Sequence, residues 1–146
     1  MPSALPFAEL EALVLRLTAA TTSRDGLSRA AAATLTRLAN SGAARLTDLA
    51  AAEGVTQPSM SSMVARLVEQ GLVLRETDPR DARAVQLSLT AAGEAVVARR
   101  RATRTRRLDD ALAELPPDDV ARIAGAVPAL TRLADALRRS TKEVSR

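Results

Sequence analysis

Residues 46–93 read LTDLAAAEGVTQPSMSSMVARLVEQGLVLRETDPRDARAVQLSLTAAG, and the periodicity of this stretch decides the fold. Thr47 can cap a short Ala-rich helix that Gly54 ends in a tight turn. Thr56 is the next cap, and Pro58 is tolerated in the first turn of a helix over 57–70 that stops at Gly71. The period then falls from 3.6 to 2. Leu72–Thr77 and Ala84–Leu89 read as short strands, with Val85, Leu87 and Leu89 alternating with Gln86 and Ser88. The polar turn Asp78-Pro79-Arg80-Asp81-Ala82-Arg83 joins them into a hairpin. A short helix, a glycine turn and a capped helix have helix-turn-helix proportions, and a basic-tipped hairpin directly after them makes a winged helix.

On a wheel of 100° per residue, Met60, Met63, Val64, Leu67 and Val68 share the face of helix 57–70 that must be core. Pro58, Ser61, Ser62, Ala65, Arg66 and Glu69 fall on the opposite face. Small polar residues at the start of an exposed helix can approach a major-groove floor, and Gln57, Ser59, Ser61 and Ser62 can all hydrogen-bond to base edges or phosphates. Arg66, toward the C-terminal half, is placed to meet phosphate. The wing carries Arg80 and Arg83, and an arginine there can enter a narrow minor groove where the negative potential is strongest.

The charge follows the same division. The chain has 146 residues with 21 basic and 17 acidic side chains, for a net charge of +4. Residues 56–107 hold ten Arg against five acids, for +5, while 1–55 balance at five each and 108–146 hold six against seven. One surface facing a polyanion accounts for that concentration. Cys, His, Trp and Tyr are absent and Phe7 is the single aromatic residue. That removes disulfides, thiolate and imidazole metal sites, the usual nucleophile–base pairs and base-stacking platforms, so no enzyme, cofactor or metal is expected. No apolar run spans a membrane and MPSALPFAELEA has no secretory pattern, which places the chain in the cytoplasm.

Outside the centre the pattern is helical. Leu10, Leu13, Val14 and Leu17 mark a helix over about 6–22, and Thr21–Gly26 forms a loop. Ser28 caps a helix bearing Leu35 and Leu38, which Asn40-Ser41-Gly42 ends. Thr90 caps a long helix to about Glu114, Leu115-Pro116-Pro117 breaks it, and Asp118 starts a last helix that Pro128 should kink. The result is a mainly α, α+β winged-helix architecture with three parts. Residues 1–27 form an N-terminal dimerisation helix, 28–93 the winged helix-turn-helix with a two-stranded wing, and 94–146 a long linking helix and a C-terminal dimerisation helix. Pairing with a second chain would bury the apolar stripes at both ends (Leu10, Val14 and Leu17; Val127, Leu130, Leu133 and Leu137), although packing into one intramolecular bundle would also do so. Of the cluster Arg99–Arg107, some members must meet acids and others solvent.

The same residues carry a resemblance. The Leu-x-x-Leu-Ala helix, the Val-Thr-Gln-Pro-Ser start of the next helix, the Leu-x-x-x-Gly-Leu-Val exit and the wing pattern Asp-Pro-x-Asp-x-Arg followed by Leu-Thr-x-x-Gly resemble the core of the MarR (multiple antibiotic resistance regulator) family over about 44–93. The resemblance implies a homodimeric bacterial transcription factor, often a repressor, whose interlocked end helices present two winged helices to a palindromic operator on double-stranded DNA. Many members of that family are released by small, often phenolic ligands, although the low aromatic content equally fits a member with no ligand. A pocket built from Leu, Val and Ala with Arg as anchor fits an apolar carboxylate. Thr56, Gln57, Pro58, Ser59 and Ser61 match the part of the family helix that meets the major groove. Arg83 matches the wing arginine that reaches the minor groove, and Asp81 the acid that braces it. The chain departs at Ser62, where many relatives carry Arg, and at Ala82, where a basic residue is usual, so operator preference does not carry over. The competing reading is a helical dimer that binds protein partners and keeps a vestigial winged helix.

Overall fold

The computed structural model describes residues 7–22, 25–78 and 81–144, without the side chains of residues 82, 83, 138 and 141–144. Its elements are α1 (Phe7–Thr21), α2 (Arg29–Ser41), β1 (Ala44–Arg45), α3 (Leu46–Glu53), α4 (Gln57–Glu69), β2 (Val73–Asp78), β3 (Asp81–Leu89), α5 (Ala91–Ala113) and α6 (Pro117–Val144). They fall into two compact units, 1–105 and 106–146. The fold is the mainly α winged helix that the sequence implies.

In the first unit, α2, α3 and α4 pack around a core of Leu35, Leu38, Leu49, Met60, Val64 and Leu67, closed on one side by Val73 of β2 and Leu87 of β3. Capping sets the helix boundaries. The Ser28 hydroxyl accepts a hydrogen bond from the Ala31 N–H, and the Thr56 hydroxyl does the same for the Ser59 N–H, each satisfying a donor that the first turn leaves open. Between α3 and α4, Gly54 takes the left-handed conformation (φ +64°) that a side chain would resist. Thr47 is not a cap. Arg45 occupies the N-cap position, without a capping side-chain bond, because β1 runs directly into the helix and places Thr47 in the first turn.

The sheet is antiparallel, in the order β1-β3-β2. The hairpin therefore gains a third strand, two residues long, in which Ala44 lies opposite Leu87 and Arg45 opposite Gln86. The strands also reach further than the alternation of apolar residues indicated, to Asp78 and Asp81. Pro79 and Arg80 lie outside the described residues.

Two hydrogen bonds from Thr90 fasten the start of α5 to the exit of α4, and a third caps α5. Its N–H donates to the Leu72 carbonyl at 3.1 Å, its hydroxyl donates to the Gly71 carbonyl at 2.6 Å, and the same oxygen accepts from the Gly93 N–H at 3.0 Å. Further along α5, the Arg100 guanidinium binds both carboxylate oxygens of Asp25 in the loop before α2. Burial raises the Asp25 carboxyl. The hydrogen bonds from Arg100 and the Leu27 N–H, together with the arginine's charge, outweigh that and leave it below the ordinary carboxylate range. This resolves one member of the arginine cluster: Arg100 is a tie within the unit, whereas Arg99, Arg101, Arg104 and Arg106 are exposed.

No described residue of α1 is buried; Leu13, Val14 and Leu17 are each about half exposed. In the second unit, α6 begins at Pro117, one residue before the expected Asp118, since proline suits the first helical position. It remains helical through Pro128 and exposes Ile123, Val127, Leu130, Leu133 and Leu137. Among the described residues, no helix is long and apolar enough to cross a membrane.

Gly93 gives the sharpest test of this packing. A Cβ there would stand 2.1 Å from the Leu72 carbonyl oxygen, whereas one at Gly125 meets nothing within 4 Å. Gly93→Ala should cost at least about 2 kcal/mol in urea unfolding. Gly125→Ala, in an exposed helix interior, should instead stabilise by about 0.5–1 kcal/mol.

Candidate nucleic-acid interface

Helix α4 is built to show one face. Met60 and Val64 are fully buried and Leu67 nearly so, and the stripe they form pins the helix to the core. Met63 is half-buried against that core, but Val68 is 37% exposed. Val68 was expected to be a core residue. At 100° per residue it lies about 80° from Met60, at the margin of the stripe, where the core no longer covers it. On the opposite face, Pro58, Ser62, Ala65, Arg66 and Glu69 are exposed, and Ser61 is half-buried.

The start of α4 is ordered by its own polar groups. The Thr56 hydroxyl accepts from the Ser59 N–H at 3.4 Å and donates to the Ser59 Oγ at 3.0 Å. Thr56 thus holds the helix end in place, while exposed Gln57, Ser59 and Ser62 keep side-chain capacity for an outside partner. The Arg66 Nε lies 3.4 Å from the Ser62 carbonyl, so its side chain folds back over the preceding turn.

The wing is placed by a contact the sequence did not announce. Asp78 was expected in the polar loop at the tip. It is instead the last residue of β2, 7% exposed, at an irregularity in the β2–β3 register between Thr77 and Asp78. The Arg45 Nη2 and Nε atoms reach its Oδ2 at 2.8 and 3.0 Å. This pair ties the tip end of β2, next to the wing turn, to the strand that opens α3. The two residues are 33 apart in sequence, and no local pattern links them. A carboxylate so desolvated is costly unless a cation and good geometry accompany it. Asp81 is exposed. The expected brace between Asp81 and Arg83, and the positions of Arg80 and the Arg83 side chain, lie outside the described residues.

Between α4 and the sheet runs an open groove. Gln57, Pro58 and Ser61 line it from α4, Arg45 and Thr47 from β1 and α3, and Arg75 from β2. Arg45 and Arg75 escaped the sequence reading. A charged residue in a strand reads as solvent-facing, and only the pairing of β2 with β3 shows where Arg75 points.

A helix-turn-helix whose second helix stands exposed beside a three-stranded sheet and its hairpin is a winged helix-turn-helix. Residues 27–85, about two fifths of the chain, match the model of the MarR family. An HTH-type transcriptional regulator of Mycobacterium leprae is 39% identical over 84 residues, covering 58% of this chain and 59% of that protein. The chain thus matches only about three fifths of the length of such curated relatives. The structure of RV1404 from Mycobacterium tuberculosis superposes with a TM-score of 0.77 at 24% identity, covering 90% of this chain and 96% of the other. A mutant of MarR from E. coli gives 0.71 at 21%, covering 88% and 98%. At such identities these two likenesses carry the fold.

The Thr56 cap and the Asp78 tie should separate by substitution. Thr56→Ala should lose about 1 kcal/mol, and Thr56→Ser should recover most of it. Asp78→Ala leaves Arg45 able to turn to solvent, so its loss should stay within about 1–3 kcal/mol. Urea unfolding of the three variants measures all of this.

Proposed function

We propose that the chain is a DNA-binding transcriptional regulator that works as a homodimer on a palindromic operator and represses by occupying it. The observation that carries the reading is the exposed, small and polar first half of α4 beside a hairpin wing, within the most basic third of the chain. In this reading α4 enters the major groove, with Gln57, Ser59, Ser61 and Ser62 toward base edges and Arg66 toward phosphate. Thr56 and Pro58 order the helix start that meets the DNA. Arg80 and Arg83 take the wing into the adjacent minor groove, with Asp81 bracing Arg83. Residues 28–93 are then the DNA-binding domain, and 1–27 and 94–146 the dimerisation parts.

Dimerisation is supported by the exposed apolar residues of each unit. Ile123, Val127, Leu130, Leu133 and Leu137 of α6 fall within an arc of about 120°, and Leu13, Val14 and Leu17 of α1 also share one side. Exposed stripes of this length mark an interaction surface, and two-fold pairing gives an operator reader its symmetry. The effector belonging to this reading is a small apolar carboxylate anchored by an arginine, the chemistry offered by Leu, Val, Ala and Arg on these helices.

Sedimentation at micromolar concentration should give about 31 kDa, twice the chain mass of 15.4 kDa. Selection from a random duplex pool should yield palindromes with half-sites about one helical turn apart. A 15.4 kDa species with no enrichment of any duplex would overturn the proposal, and enriched sequences without palindromy would overturn its dimeric form.

A further inference from the structure

Arg75 occupies an unusual place for a cation. Antiparallel partners share a sheet face, so Val73 with Leu89, Arg75 with Leu87 and Thr77 with Val85 all stand on one side of the β2–β3 ribbon. Val73 and Leu87 are buried, which makes this the face covered by the helices. Arg75 is nonetheless exposed. It sits where the core-facing side of the sheet runs out from under α4, and it lines the groove together with Gln57 and Ser61. Arg45, the other arginine there, is held by buried Asp78. Arg75 has no ion-pair partner among the described residues, and strand alternation puts its neighbour Glu76 on the other face. The groove therefore carries one uncompensated positive charge on its sheet side.

We propose that this groove is the track of one DNA backbone strand and that Arg75 binds a phosphodiester in it. The inference rests on the reading of α4 as the major-groove helix and the hairpin as the minor-groove wing. The major and minor grooves of a duplex are separated by a sugar–phosphate strand. A protein with a helix in one groove and a wing in the next must let that strand pass between the two elements. In this chain the surface between them is the groove, and the cation there is Arg75. Its guanidinium offers several donors in a planar fork suited to phosphate oxygens. Ser61 and Gln57 on the opposite wall can donate to the same strand. Arg75 would then fix the distance between recognition helix and wing on the DNA, a positioning contact without sequence preference.

Salt titration with the full chain tests this, using the duplex selected from the random pool and a mixed-sequence duplex of equal length. Arg75→Gln should weaken both on the order of tenfold and lower the salt slope by about one unit, because one fewer counterion is released. Arg75→Lys should keep the slope. A scan of single neutral methylphosphonate linkages through the selected duplex should find one position, between the helix and wing contacts, that penalises wild type but not Arg75→Gln. An unchanged slope for Arg75→Gln, with or without a loss of affinity, overturns the proposal, because a residue acting only through folding moves affinity and thermal midpoint but not the slope. If wild type binds neither duplex at any salt, the DNA-binding reading falls and this inference with it. If wild type binds and Arg75→Gln keeps its slope, this inference alone falls.

Discussion

Leu87 lies in the middle strand of the sheet, opposite Ala44 on one side and Arg75 on the other, with none of its surface exposed. It is the point at which wing and helix-turn-helix become one body. Burying a leucine contributes about 1.5–3 kcal/mol, and its register determines much else. A slip of β3 by one residue would turn Leu87 outward and bring Gln86 or Ser88 under the helices. It would also detach β1 from its partner residues. The relation between α4 and the wing is thus set by a hydrophobic contact and a strand register, before any charge is considered.

Charge pairs then secure the seams. Arg37 and Glu53 join α2 to the end of α3 at 2.9 Å, Arg45 and Asp78 join β1 to the tip end of β2, and Arg100 and Asp25 join α5 to the loop before α2. Each connects segments distant in sequence. The first, with 42% of the arginine side chain exposed, contributes little to stability. In the other two, Asp78 and Arg100 are the less exposed partners, so removing Arg45 or Asp25 would leave a charge poorly solvated. The arginines remaining in solvent are the ones available to a polyanion. Ion pairing marks Arg37, Arg45 and Arg100 as ties within the fold.

How much of this could be read from the chain depended on the range of the interaction. Ser28, Thr56 and Thr90 are identifiable as caps because a hydroxyl and the N–H three residues on are local partners. The alternation of Val85, Leu87 and Leu89 marked β3 for the same reason. Thr47 looked equally good as a cap, but β1 runs straight into α3 and takes that place. β1 itself is two residues long, too short to show alternation, and exists only through its pairing with β3. Asp78 read as part of a solvated turn because the arginine that buries it is 33 residues away. Within the candidate site, the exposed face of α4 followed from helical period alone. Arg75 could not be found that way, since its direction depends on which residue of β3 it faces.

The central claim is that helix and wing occupy adjacent grooves of one duplex at a separation fixed by the fold. Methylation protection measures this directly, because guanine N7 lies in the major groove and adenine N3 in the minor groove. On a selected duplex, the account predicts guanine N7 protection in each half-site, with adenine N3 protection centred about five base pairs away, half a helical turn. Protection confined to one groove, or minor-groove protection at no fixed offset from the major-groove contacts, would contradict it.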